Sequence, residues 1–251
     1  MKKVNCLSLL FSLILFASCA QKQYQVTGIE ASRVMMDSTW DAKANPQLLD
    51  RVNSYKTALE SEMNVKIGTA AQTMIKGQPQ SLLTNLTADV LRKRAQELWG
   101  HIDFAVMNRG GLRSTLNQGD ITIGSLFEIY SFDNTLTLVE LPGRAVAEFF
   151  DHIAEVNGQG LSDNLEVVIN KGKVASIRIG GQALDPNKTY RIATLDYLAE
   201  GNDGMLAFKQ ATNKLNSGEL LRDIMIEYVK EQTANNQEID AKLDNRIIVN
   251  P

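Results

Sequence analysis

Apolar residues recur along this chain at periods of three to four and of two, and the switching between them predicts its elements. Leu48, Val52, Tyr55, Leu59 and Met63 recur at spacings of four and three, which predicts a helix from Pro46 to about Asn64. A short strand follows near Val65–Ile67. Helical spacing returns at Leu83, Leu86, Val90, Ala95 and Leu98, with Pro79 just ahead of it and Gly100 to close it. Ile102–Met107 is an apolar run that ends in a turn, as a buried strand does. Ile121–Tyr130 reads as a short helix and Thr135–Leu141 alternates as a strand. Val146, Phe149, Phe150 and Ile153 mark another amphipathic helix, ended by Asn157-Gly158. Leu165–Leu184 predicts a hairpin, with turns at Lys171-Gly172-Lys173 and Gly180-Gly181. Tyr190–Leu195 is a further strand. Leu221, Ile224, Met225 and Tyr228 stripe a last helix before a C-terminal strand, Asn245–Asn250. Helices and strands interleave without strict βαβ alternation. The predicted fold class is therefore α+β, a mixed β-sheet packed with helices, in one domain over residues 46–251.

The N-terminal segment follows a different pattern. Lys2 and Lys3 form a basic start, and Leu7–Phe16 is a mostly apolar stretch too short to span a bilayer. Ala17-Ser18 are small residues of the kind a signal peptidase accepts, and Cys19 follows directly. Residues 1–18 therefore read as a lipoprotein signal peptide similar to bacterial lipoboxes, although Phe16 stands where leucine is more usual; an ordinary cleaved signal peptide followed by a chance cysteine is the competing reading. Cys19 is the predicted lipidation site and residues 19–45 a tether with one possible strand near Tyr24–Ile29. Cys6 would leave with the signal, so the mature chain would hold no thiol free to pair and would depend on its core. The expected location is the cell envelope, lipid-anchored and periplasmic or surface-exposed.

Charge narrows the partners. The 251-residue sequence carries 26 basic and 29 acidic side chains; without Lys2 and Lys3 the balance is 24 to 29, a net charge of −5. No basic run tracks along the chain, which argues against polymeric nucleic acid, since that binding needs many phosphate-neutralising cations. A small anion remains compatible, because one or two placed arginines hold it whatever the net charge.

Candidate chemistry gathers in three loops. Strand 102–107 delivers Asn108 into Arg109-Gly110-Gly111-Leu112-Arg113. Paired Gly110 and Gly111 give a turn that admits positive φ and close approach of a ligand. The planar fork of Arg113 fits phosphate or carboxylate in a bidentate way that lysine cannot copy. Phe132, in Ser131-Phe132-Asp133-Asn134, falls between a helix and a strand with no periodic reason to be buried. A base stacks on such a ring for about 1–3 kcal/mol. Tyr197 follows the strand 190–195 and leads into Gly201-Asn202-Asp203-Gly204, where Asp203 is placed to accept hydrogen bonds from ribose hydroxyls. A tight turn with a surface arginine, a core phenylalanine and a plain turn aspartate are the competing readings of these residues. His101 and His152 are the only histidines, neither within metal-ligand spacing, and both read as structural or solvated.

Taken in order, Asn-x-Gly-Gly-x-Arg, Gly-Asp-Ile-Thr before Ser-Phe-Asp-Asn, Leu-x-Gly opening a helix, and Asp-Tyr-Leu-Ala-x-Gly-x-Asp-Gly resemble the C-terminal domain of the 5′-nucleotidase family. The resemblance runs from about Tyr55 to Ile248 and includes Asn85-Leu86-x-Ala88-Asp89 and Asp244-Asn245-Arg246-Ile247. It implies a substrate-binding domain in which the base lies between two aromatic rings, here Phe132 and Tyr197, with tyrosine replacing a commoner phenylalanine. It places Asn108 near the base, Arg113 near ribose and phosphate, and Asp203 on the ribose hydroxyls. Two departures stand out. The family's further substrate arginine is missing from Gly77-Gln78-Pro79-Gln80-Ser81, where Lys76 is the nearest cation and Arg109 occupies a variable motif position. Nor does the sequence contain the Asp-x-His, Asn-His-Glu or Gly-His-x-His ligands of the family's N-terminal metallophosphatase domain, whose two metal ions polarise phosphate and activate water.

The resemblance thus implies the substrate-recognition half of a split 5′-nucleotidase, binding a nucleoside monophosphate or related nucleotide for phosphate-ester hydrolysis in nucleotide catabolism. Catalytic residues and cofactors are expected to be absent from this chain, with divalent metals on a separate metallophosphatase partner. The alternatives are a stand-alone nucleotide-binding lipoprotein without catalytic activity, and an interaction module with a vestigial pocket, against which the retained clamp residues argue.

Overall fold

The computed structural model describes residues 24–251. The predicted signal peptide at 1–18, with Cys6, and the predicted lipidation site Cys19 lie outside the described residues. The chain divides into two compact units, one ending at Arg51 and the other running from Val52 to Pro251.

In the first unit the strand expected near Tyr24–Ile29 does not form. Tyr24, Val26 and Ile29 stay exposed and no backbone ladder satisfies this stretch. Its regular structure is a 3₁₀ turn, Ser38–Lys43, capped where the Thr39 backbone N–H donates to Asp37 Oδ1 at 3.0 Å. The backbone N–H groups of Gln47 and Leu48 donate to Asn45 Oδ1 and open helix α1 (Pro46–Met63). The α1 stripe that predicts the helix remains exposed at Val52, Tyr55 and Leu59. Helix formers and the Lys56–Glu60 pair at 3.7 Å support it locally.

The second unit takes in α1 from Val52 onward, and strand β1 (Lys66–Ala70) follows that helix. Ser81 and Thr84 form a reciprocal capping box for α2 (Leu82–Trp99), and Gly100, at φ 75°, ends it. Strand β2 (Phe104–Met107) is buried throughout. Where a helix was expected from Ile121, β3 (Gly119–Thr122) pairs antiparallel with β1, and α3 (Ile123–Ile129) follows. Thr122 caps that helix, so α3 starts only beyond it. Strand β4 (Thr135–Pro142) runs into α4 (Gly143–Glu155). The short β5 (Gly160–Leu161) precedes the predicted hairpin, β6 (Leu165–Asn170) and β7 (Lys173–Ile179), with β8 (Gln182–Ala183) added at its edge. Strand β9 (Thr189–Leu195) leads into the four-residue helix α5 (Asp196–Ala199). Strand β10 (Asn213–Leu220), α6 (Leu221–Ala234) and β11 (Ile247–Asn250) complete the chain. Among the described residues no helix is long and apolar enough to cross a membrane.

Among the described residues the strands form three sheets, and the five-stranded one, ordered β10-β4-β9-β2-β5, positions the loops at its end. It is mixed: β2 lies parallel to β9, while β4 and β9 are antiparallel. Leu136, Leu138, Val139, Ile192, Ala193, Leu195 and all of β2 are buried, and α2 and α4 supply further apolar cover. Phe149 of α4 stacks on Phe208 at 5.4 Å and meets Phe150 edge-on at 5.0 Å, filling the space against Phe104. The C-terminal ends of β2 and β9 and the start of β4 meet at one end of this sheet, so the three loops that follow or precede them converge there.

A second fixed point is Arg246, 2% exposed. Its guanidinium donates to both oxygens of Asp89, both of Asp244 and the Leu161 carbonyl. Every face of the fork is used internally. The Asp89 and Asp244-Asn245-Arg246 motifs therefore tie α2 to the last strand and leave the guanidinium no donor for a ligand. Burial pushes the Asp89 carboxyl up to about 6 against the pull of Arg246, while Asp244, burial notwithstanding, is held below its usual range by that guanidinium.

Candidate functional site

Beyond β2 the chain enters a 3₁₀ turn, Arg109–Gly111, with Asn108 at its start. Neither Gly110 nor Gly111 takes positive φ, contrary to the sequence expectation. Space sets the requirement instead, because a Cβ at Gly111 would lie 2.9 Å from Asn108 Oδ1. Asn108 itself is buried, and its Nδ2 donates to Asp203 Oδ2 at 2.5 Å. Its Oδ1 is buried with no hydrogen-bond donor among the described residues. Arg113 is anchored through its backbone N–H to the Ile129 carbonyl, at 2.9 Å. Its guanidinium reaches back toward Gly110 O at 3.5 Å and lies 5.7 Å from the centre of the Phe132 ring, within cation–π range.

Phe132 is presented by the loop between α3 and β4. Arg222 of α6 clamps this loop, donating to the Tyr130 carbonyl at 3.1 Å and to Asp133 Oδ1 at 2.8 Å, with its guanidinium 4.2 Å above the Phe127 ring. Tyr197 sits on α5. One atom connects the two aromatic segments: Asp196 Oδ1 accepts from the backbone N–H of Thr135 at 3.1 Å and of Tyr197 at 2.7 Å. This carboxylate adds to the β4–β9 ladder, in which Leu136 pairs with Leu195, in holding the two segments together.

Asp203 occupies the left-handed region, φ 52° and ψ 33°, inside the 3₁₀ turn Asn202–Gly204. Its Oδ1 accepts from the Tyr197 hydroxyl at 3.0 Å, in addition to the Asn108 contact on Oδ2. The hydrogen bond to Asp203 holds the Tyr197 proton and pushes that phenol above its ordinary range. Behind the turn, His152 Nε2 lies 3.1 Å from the Asp203 carbonyl oxygen. The same ring covers Gly204, at φ 78°, where a Cβ would sit 2.3 Å from His152 Cε1. His101 stands elsewhere, 3.2 Å from Asp103 ahead of β2.

Asn108, Gly110, Gly111, Arg113, Phe132, Tyr197 and Asp203 all line one cavity of about 330 Å³. Asn134, not among the residues expected from sequence, lines it too. Asn134 stood in the quoted Ser-Phe-Asp-Asn motif, two residues from Phe132, and that adjacency was the available signal. Two other basic side chains named from sequence are not among the lining residues. Lys76 Nζ donates to the Leu112 carbonyl at 2.6 Å, and Arg109 is held through its backbone N–H to Gln159. Phe132 and Tyr197 remain 49% and 42% exposed, so two aromatic faces border a polar floor bearing one cation and one carboxylate. Such a cavity can hold a flat heteroaromatic group, accept hydrogen bonds from hydroxyls at Asp203 and receive an anion at Arg113. Among the described residues no group of three or more His, Cys, Asp or Glu side chains could hold a metal ion.

Residues 66–210 match the model of the family described as 5′-nucleotidase, C-terminal domain. A "Silent protein UshA(0)" of Salmonella typhimurium is 28% identical over 196 residues, covering 75% of this chain but 35% of that protein. A 5′-nucleotidase of Vibrio vulnificus is 26% identical over 223 residues, covering 85% of this chain and 39% of its own length. The chain thus spans little more than a third of these curated relatives. Among solved structures, a 5′-nucleotidase precursor from Thermus thermophilus superposes with a TM-score of 0.70 at 22% identity, over 80% of this chain and 43% of that one. The NAD nucleotidase of Haemophilus influenzae gives 0.61 at 18% identity, over 82% and 41%. At these identities the structural likeness speaks for the fold.

Proposed function

Because the chain belongs to the 5′-nucleotidase C-terminal domain family, we propose that it is the substrate-recognition half of a split 5′-nucleotidase. A dimetal catalytic domain on another polypeptide completes the reaction. The observation that carries this reading is the convergence of Asn108, Arg113, Phe132, Tyr197 and Asp203, from three separate loops, on one cavity at the end of the central sheet. In it a base stacks between Phe132 and Tyr197, the ribose hydroxyls donate to Asp203, and Arg113 holds the phosphate end. Among the described residues Arg113 is the one cation lining the cavity, which favours a nucleoside monophosphate over longer phosphate chains, whose added charge finds no further basic partner among them. Hydrolysis of the phosphate ester needs a Lewis acid and an activated water, and these come with the partner. Lipid on Cys19 holds the protein at the cell envelope, where exported nucleotides are met.

Phosphate release from AMP tests this division of labour. With added divalent metal, the purified chain alone releases none above the uncatalysed rate. A metallophosphatase lacking this domain, added in equimolar amount, turns AMP over, and the rate falls when Asp203→Ala replaces the wild type. Turnover by the chain alone sinks the split. Nucleotide binding without turnover by any such mixture instead supports the stand-alone binding protein.

A further inference from the structure

Asp203 belongs to a turn whose backbone His152 braces from behind, which leaves the direction of the carboxylate to its own partners. The turn is a single 3₁₀ segment between Gly201 at φ 87° and Gly204 at φ 78°, with Asp203 itself left-handed. What fixes the carboxylate is one donor on each oxygen, Asn108 Nδ2 on Oδ2 and the Tyr197 hydroxyl on Oδ1. A carboxylate oxygen has two lone-pair sites, so one acceptor position stays open on each. Two open acceptors side by side match two adjacent O–H donors, the pattern of a vicinal diol. The Tyr197 bond has a second effect, since it also holds the ring on which a base would stack. The ring and the acceptor then have a set separation, and Asn202 Nδ2, donating to the Tyr197 carbonyl at 2.8 Å, braces the same unit.

We propose that the Tyr197 hydroxyl is a specificity-determining group that couples base stacking to ribose recognition, so that the site selects nucleosides carrying both free ribose hydroxyls. This rests on the reading above that the ribose donates to Asp203. A phenylalanine here would keep the stacking face yet leave Oδ1 without its fixed donor and the ring without its tether. The hydroxyl therefore adds discrimination between sugars, beyond the ring's attraction for the base.

The test is calorimetric titration of the full chain and of Tyr197→Phe, a change that keeps the ring and removes one oxygen. Adenosine, guanosine, cytidine and uridine are compared first. The tightest is carried forward with its free base and its 2′,3′-dideoxy analogue. In the wild type the ribonucleoside binds more tightly than the dideoxy analogue. In Tyr197→Phe its affinity falls roughly 10- to 150-fold, the size expected for losing a hydrogen bond to a charged group. The base and the dideoxy analogue change less than about 2-fold, so the discrimination collapses. An equal fall for all three ligands would assign the hydroxyl to ring packing alone and overturn the proposal. No change for any of them would do the same. Failure of the wild type to distinguish ribonucleoside from dideoxy analogue, or to bind any nucleoside at millimolar concentration, removes the ribose placement beneath it as well.

Discussion

Phe132 and Tyr197 keep about half of their surface in solvent, 49% and 42% exposed, where comparable rings in the core are shut away. Phe104, Phe149, Phe150 and Phe208 show that this chain buries phenylalanine when packing is the purpose. Exposed rings flanking a polar floor offer stacking faces. Phe132→Ala and Tyr197→Ala should each weaken nucleoside binding by roughly 5- to 150-fold, the span that loss of one stacked base–aromatic contact covers. Calorimetry on both variants checks this, with circular dichroism to show that folding is intact; undiminished affinity in both would put the base elsewhere. At this scale the sequence was informative because Phe132 lay outside any apolar period and could not be assigned to the core. It was misleading at Gly111, where glycine suggested positive φ. The actual constraint is the Asn108 amide oxygen 2.9 Å from where a Cβ would lie, a contact between folded neighbours that no local rule anticipates. The Tyr197–Asp203 bond was invisible for the same reason: side chains six positions apart on a turn meet only once the turn exists.

Among elements, the order of helices and strands was legible wherever one face is buried. Helices α2 and α4 and strands β2, β4 and β9 fall within a few residues of their predicted bounds. Strand β10 was not, because it is an edge strand whose residues are mostly exposed and carry no apolar alternation. The clearest misreading of a helix start was at Ile121, where β3 intervenes because Thr122 serves as the cap of α3. Helix α1 was found by its stripe, yet the stripe is not buried, so periodicity identified the helix and misjudged its environment. The connection that matters for the site lies between elements. Asp196 Oδ1 joins the first residue of β4 to the first turn of α5, and with it the loop of Phe132 to Tyr197. Asp196→Ala should therefore lower nucleoside affinity by roughly 10-fold although Asp196 does not line the cavity, through two backbone N–H groups losing a charged acceptor. Free base and nucleoside should be affected alike, since the spacing of the rings is at stake. Calorimetry that finds both affinities unchanged would show the rings held apart by other contacts.

For the whole molecule, the residue motifs picked out side chains that the fold gathers around one cavity. Loops distant in sequence, around 108–113, 131–134 and 196–204, converge because β2 and β9 run parallel and β4 antiparallel, which brings two strand ends and one strand start together. That topology could not be derived from periodicity, which reached only a mixed sheet packed with helices. Arg246, with every donor face satisfied internally, separates a fold-holding arginine from Arg113, whose fork faces the cavity. The central claim is spatial: a nucleoside monophosphate sits between Phe132 and Tyr197 with its sugar at Asp203. A crystal of this chain soaked with AMP tests it most directly. The account predicts the adenine between the two rings, ribose oxygens within hydrogen-bond distance of the Asp203 carboxylate and the phosphate beside Arg113. Density for the nucleotide elsewhere, with the cavity filled only by solvent, would contradict it.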